Sequence, residues 1–158
     1  MRAALSARNI LIILASGGSL CLLLGALAFQ YLGGLAPCVL CLWQRWPHAA
    51  AVALGLVALA FGGRFLPVLG ALATLASAAI GVFHVGVEQQ WWEGLATCTV
   101  NTMQGLSASD LLNTDITVGA PAACDKIAWA MLGISMPGWN VILSLGLTGL
   151  WLLAARRD

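Results

Sequence analysis

The chain reads as an all-α integral membrane protein, a bundle of four transmembrane helices with both termini on the cytoplasmic side. Three observations predict this. Hydrophobic residues make up 61% of the 158 and charged residues only 8%, about a third of the charge of a typical soluble domain, so a polar coat cannot be built. Four apolar runs approach or reach the length of about 20 residues that a helix needs to cross a bilayer core. The charges that do occur are segregated along the chain. A net charge of +1 leaves no basic surface for nucleic acid.

The elements follow in order. The first span is expected over about 9–29, "NILIILASGGSLCLLLGALAF". Arg2 and Arg8 precede it and "ALA" at 26–28 resembles a cleavage site, but the apolar stretch is longer than a signal-peptide core, so an uncut anchor is expected. A short loop, about 30–37, leads to a second span over about 42–61. The turn "GGRF" around Arg64 joins it to a third over about 65–87. A long loop, about 88–138, holds the polar turn material "NTDITVGAPAACD" and then "CDKIAWAMLGISMPGW". That second stretch is mildly amphipathic and is expected to form a helix lying on the membrane surface. Pro137 and Gly138 mark the turn into the fourth span, about 139–155. Backbone in lipid must satisfy its own hydrogen bonds, which makes these runs helices, and their scattered glycines suit close helix packing. No repeat or domain boundary interrupts residues 1–158.

Orientation follows from the cations. Arg2 and Arg8, Arg64, and Arg156 with Arg157 fall on one side if the chain crosses four times, and the positive-inside rule makes that side cytoplasmic. Both loops, with Glu88, Glu93, Asp110, Asp115 and Asp125, then face out. Trp43, Trp46, Trp91, Trp92, Trp129 and Trp139 gather near the outer rim as an aromatic belt, with Trp151 near the inner face.

Five cysteines occur. Cys21 lies mid-helix and reads as a small inert hydrophobe. Cys38 and Cys41 form a C-x-x-C ahead of the second span, and Cys98 and Cys124 lie in the long loop. In an oxidising compartment such thiols pair. One pair per loop is the simplest arrangement, although four cysteines permit three pairings. Zinc fits poorly, because the second pair lacks the close spacing of a metal motif. A bridge across three residues closes almost no loop and adds little stability, which favours a redox role for Cys38 and Cys41.

Arg45 follows four residues after Cys41. If the helix begins near Pro37, then Cys38, Cys41 and Arg45 share one face; if Pro47 marks its first turn, they do not. A charge at membrane depth suggests function, and a thiol pair at the lipid boundary can meet a lipid-soluble oxidant. Quinone is the expected one, ubiquinone or menaquinone, with Arg45 donating to a ring oxygen and Cys41 beside it. His48 and His84 are further candidates for the quinone site or for proton relay, and each is also a plain interfacial side chain.

These residues resemble the disulfide bond formation protein B (DsbB) family. The resemblance rests on "PCVLC" followed by "QR", on a long loop with two spaced cysteines, and on "MPGWN" before the last span. It implies a bacterial inner-membrane oxidoreductase, a monomer, that supports protein folding by disulfide formation. Cys98–Cys124 would be the disulfide that accepts electrons from a periplasmic DsbA-like thioredoxin-fold oxidase, with Cys98 making the mixed disulfide. Cys38–Cys41 would be the second disulfide, with Cys38 exchanging with Cys124 and Cys41 facing quinone; no metal is implied. Gln44 stands where some members are expected to carry an acid. A dedicated relative serving one partner, a vitamin K epoxide reductase-like protein, and a non-catalytic membrane protein with bracing disulfides are the alternatives. In the second of these the active pair follows most of the helices, whereas here it precedes the second.

Overall fold

The computed structural model describes residues 6–95, 98 and 122–157. Arg2, Asp110, Asp115 and most of the polar turn at 113–125 lie outside them. Four helices and one two-stranded hairpin make up the regular structure among the described residues. Helix α1 runs Ala7–Tyr31, α2 Val39–Phe61, α3 Phe65–Glu88 and α4 Met136–Ala155, with strands β1 Ala130–Met131 and β2 Ile134–Ser135 just before α4.

Each helix starts and stops for local reasons. Ser6 caps α1, its hydroxyl accepting from the Asn9 N–H at 3.2 Å, as a hydroxyl at this position should. Cys38 caps α2 in the same way, its sulfur accepting from the Cys41 N–H at 3.2 Å. The C-x-x-C spacing is therefore also an N-cap spacing, since a cap side chain reaches the third residue of its helix. Pro47 lies inside α2 and neither starts nor ends it. Cys38, Cys41 and Arg45 thus belong to one continuous helix start. Gly62 and Gly63, with φ of 74° and 81°, take the left-handed backbone that turns α2 sharply into α3.

The helices pack in a ring, α1 on α2, α2 on α3, α3 on α4 and α4 on α1. At one end Arg8 donates to the Gly63 carbonyl at 2.7 Å and Arg64 to the Ala155 carbonyl at 3.0 Å, tying the start of α1, the α2–α3 turn and the end of α4 together. The interior there holds Ile12, Ala15, Ala51, Ala58, Ala71, Ala154 and Trp151. Trp151, expected near the inner face, is fully buried in this core. Gly70 makes room for it: a Cβ there would meet the indole at 2.6 Å. Small residues at such contacts are what allow helices in lipid to close on a large ring.

The bundle buries polar side chains among its apolar core and turns large apolar side chains outward. Ser19, Gln44, His48, Thr74, Ser77, His84 and Ser144 are buried, whereas Leu14, Leu24, Leu56, Leu72, Leu145 and Leu153 are exposed. A soluble bundle has the reverse distribution. Helices α1, α3 and α4 are each long and apolar enough to cross a membrane. Helix α2 is as long, but Gln44, Arg45, Pro47 and His48 dilute the apolarity of its first half.

The expected surface helix is not formed. The chain after Cys124 makes a turn and then the β1–β2 hairpin, with Ala130 opposite Ser135. Leu132 and Gly133 take φ of 54° and 79°, the geometry of a tight hairpin turn. Only about three turns of helix would fit between Cys124 and α4, too few to be stable alone, and Gly133 weakens them further. Pro137 and Gly138 already lie in the first turn of α4, where proline is tolerated because its N–H is not needed.

Candidate functional site

Both cysteine pairs converge at the end of the bundle opposite the arginine ties. Cys38, Cys98 and Cys124 are buried in one cluster with Leu40 and Val87, and Cys41, Phe83 and Leu95 pack against it. Cys98 and Cys124 are bridged, and the Cys124 N–H donates to the Cys98 carbonyl at 3.1 Å. Cys38 and Cys41 are free thiols here, with sulfurs 2.7 Å apart. The cap explains their closeness, because it folds the Cys38 side chain back over the first turn, where Cys41 projects. The Cys38 thiol is pushed well above the ordinary thiol range, first by its hydrogen bond with Cys41 and then by burial, since both favour the protonated sulfur.

The two pairs are close to each other. The sulfurs of Cys38 and Cys124 and a ring nitrogen of His84 all lie within 4.8 Å of one another. Direct sulfur contact is what exchange between the pairs requires. His84, near the end of α3, is 2% exposed and sets its Nε2 3.6 Å from the Cys38 sulfur.

A cavity of about 500 Å³ opens on the other side of Cys41. Its walls include Phe29, Cys41, Arg45, His48, His84 and Trp139. Trp129, from the segment before the hairpin, also lines it and packs on Phe29 with ring centroids 5.1 Å apart. The guanidinium of Arg45 donates to Gln30 Oε1 at 2.6 Å and, more weakly, to the Ala26 carbonyl at 3.4 Å. It is thereby held against the α1 wall rather than reaching out of the bundle. Arginine has five N–H donors, so both contacts leave donors over. His48 Nδ1 is buried without a partner. Unpaired polar atoms beside an otherwise apolar cavity are the usual mark of a ligand site. Cys21, expected to be an inert helix residue, also lines this cavity.

Gln44 and Asn140 also line this cavity, and sequence reasoning missed Asn140 and the serines bonded to it. Asn140 donates to Gln44 Oε1 at 2.8 Å and to Ser77 Oγ at 3.1 Å. Its Oδ1 lies 3.0 Å from His48 Nε2 and accepts from Ser144 Oγ at 3.3 Å. The available signal was a Gln, an Asn and several Ser within apolar helices, positions that face the bundle interior by default.

The fold and the site together define a helical membrane protein that carries a dithiol and a disulfide side by side at one end. The chain belongs to the DsbB family: the model of the disulfide bond formation protein DsbB matches residues 8–154. Among its relatives named disulfide bond formation protein B, that of Methylococcus capsulatus is 35% identical over 84% of each chain. That of Hahella chejuensis is 32% identical over 82% of each, and that of Stutzerimonas stutzeri 29% identical over 94% of this chain and 95% of its own. No solved structure matches the chain.

Proposed function

We propose that the chain is a bacterial inner-membrane thiol oxidase with four spans and both termini in the cytoplasm, passing electrons from a periplasmic thioredoxin-fold dithiol protein to membrane quinone. The observation that carries this is the approach of Cys38 to Cys124 within 4.8 Å, with Cys41 next to Cys38 and on the cavity wall. It links a disulfide near the surface to a thiol beside an apolar chamber. Membership of the DsbB family supports the same reading.

In this reading the partner's thiolate attacks Cys98 and breaks the Cys98–Cys124 bond, leaving the electron pair on Cys124. An open groove lined by Trp91, Trp92, Glu93 and Asp125 beside Cys98 offers the approach. Cys124 then attacks Cys38 of the oxidised first pair, and the electron pair moves to Cys41. The partner's second thiol then attacks its own sulfur bound to Cys98 and releases Cys98, which re-forms the bond to Cys124 and frees Cys38; closing the Cys38–Cys41 bond would then deliver two electrons and two protons to a bound quinone. Arg45 offers guanidinium donors to a ring oxygen, while the aromatic walls exclude water from the Cys41 sulfur. The cavity suits that group, being apolar, large enough for one ring with part of its tail, and supplied with the spare N–H donors of Arg45.

The test uses membrane vesicles, a reduced thioredoxin-fold dithiol protein and quinone. Partner thiols should be lost in step with quinone reduction, and Cys41→Ser should abolish this. Full activity in Cys41→Ser would sink the assignment. A bracing role for the disulfides instead predicts no mixed disulfide with any partner through Cys98 when thiols are trapped in cells.

A further inference from the structure

Gln44 is buried between three helices, and its amide is oriented by neighbours that can play only one part. Its Nε2 lies 3.1 Å from the Leu40 carbonyl. A carbonyl only accepts, so that corner of the amide must be the NH₂. Its Oε1 accepts from Asn140 Nδ2 at 2.8 Å. The Asn140 amide is fixed in turn: Nδ2 also meets Ser77 Oγ at 3.1 Å and the Ser77 carbonyl at 3.5 Å. The Ser77 hydroxyl spends its proton on the Gln44 carbonyl at 3.1 Å, so its oxygen is free to accept from Asn140. Turning either amide over would set oxygen against oxygen at Leu40 or at Ser77.

The second N–H of the Gln44 amide then points at His84 Nδ1, 3.0 Å away. Nδ1 must accept, so a neutral His84 ring carries its proton on Nε2. That nitrogen is the one 3.6 Å from the Cys38 sulfur. The same assignment answers whether Cys38, His84 and Cys124 form a metal site: Nε2 has no lone pair to give, and Cys124 is bound to Cys98.

We propose that Gln44 is a positioning residue that locks His84 as the Nε2–H tautomer, aiming a hydrogen-bond donor at the sulfur of Cys38, which exchanges with Cys124 between the pairs. The role rests on the oxidase reading above. When Cys124 attacks Cys38, the Cys38–Cys124 bond forms, the Cys38–Cys41 bond breaks and the electron pair leaves on Cys41; no proton is consumed. His84 keeps its proton throughout and stabilises negative charge on sulfur while it passes through a buried, water-poor site, where a fixed donor acts most strongly. An acid in place of Gln44 would accept from Nδ1–H and turn the ring's proton away from the Cys38 sulfur.

The experiment uses the full chain in detergent with ¹⁵N-labelled histidine, the two rings being told apart with His48→Gln. The wild type should give a protonated-type signal for His84 Nε2 and an unprotonated-type signal for Nδ1, and Gln44→Glu should reverse them. Exchange is followed in a single turnover on chain oxidised at both pairs, with dithiothreitol as electron source and no quinone, by acid quench and mass spectrometry of the Cys38–Cys124 species. Gln44→Glu should slow its formation at least tenfold. His84→Gln, which keeps an N–H near the same place, should remain within about threefold of the wild type, while His84→Phe should fall with Gln44→Glu. Protonated Nδ1 in the wild type, or equal exchange rates in wild type and Gln44→Glu, overturns the proposal. A wild type that forms the Cys38–Cys124 species but never reduces quinone counts against the oxidase reading and leaves the Gln44 assignment standing.

Discussion

At the scale of single residues the site is built on unequal sulfurs. Cys38 caps a helix, is 3% exposed, and holds its proton well above the ordinary thiol range through Cys41 and burial. Cys41 is half-buried and faces the cavity. In the reduced chain, iodoacetamide near pH 7 should therefore label Cys41 first, with Cys38 lagging until the pH rises well past 9; peptide mass spectrometry checks the order, and Cys38 reacting first would contradict it. Reactivity follows the thiolate, so a raised value delays Cys38 rather than Cys41. Arg45→Ala should raise the apparent quinone KM roughly tenfold, the size of one charged hydrogen bond of about 1.5 kcal/mol, with partner-dependent steps unchanged. An unaltered KM would reassign Arg45 to its contacts with Gln30 and Ala26 alone. The four clustered cysteines and Arg45 could be picked out as candidates because cysteine spacing and a charge at membrane depth are themselves signals. Gln44 and Asn140 could not be, because an amide's role depends on which neighbour each end meets.

At the scale of elements, glycine and proline carry different weight than their reputations suggest. Pro47 sits inside α2 without ending it, so the capped start of that helix, rather than the proline, sets where the thiols point. Gly70 is a packing residue. Gly70→Val should destabilise the bundle by about 1–3 kcal/mol, the usual penalty for overfilling a packed interior, because its Cβ would press on Trp151 at 2.6 Å; a lowered thermal midpoint in detergent is the readout. The segment after Cys124 shows where periodicity misleads. Its apolar residues fit a helical stripe over a short window, yet Leu132 and Gly133 turn the chain into a hairpin. A short window cannot separate the two outcomes when the ends are already tied by the Cys124 bridge and by α4.

At the scale of the whole molecule, the ring of helices separates two ends of different character. Arg8 and Arg64 tie one, and the sulfurs gather at the other. If the tied end is cytoplasmic, a membrane-impermeant maleimide should label Lys126→Cys in intact spheroplasts and Arg157→Cys only after permeabilisation, in a chain whose five native cysteines are serine. The reverse pattern would invert the topology. The Cys98–Cys124 bridge spans 26 positions, and removing it should cost about 3 kcal/mol in the chain-entropy model, measurable as a lower unfolding midpoint for the double serine variant.

Apolar run length and sparse charge, by themselves, determined that the chain is a helical membrane protein, because lipid leaves the backbone almost no alternative. Cysteine spacing and "PCVLC" with "QR" determined where the chemistry should be sought. Only the tertiary structure decided that Trp151 is buried in the core, that a hairpin replaces the surface helix, and that Cys38 faces both Cys124 and His84. These are matters of contact between elements distant in sequence. Hydropathy reports how much each residue avoids water, whereas "APCVLCLWQRW" works through which neighbours α1, α3 and α4 bring to it.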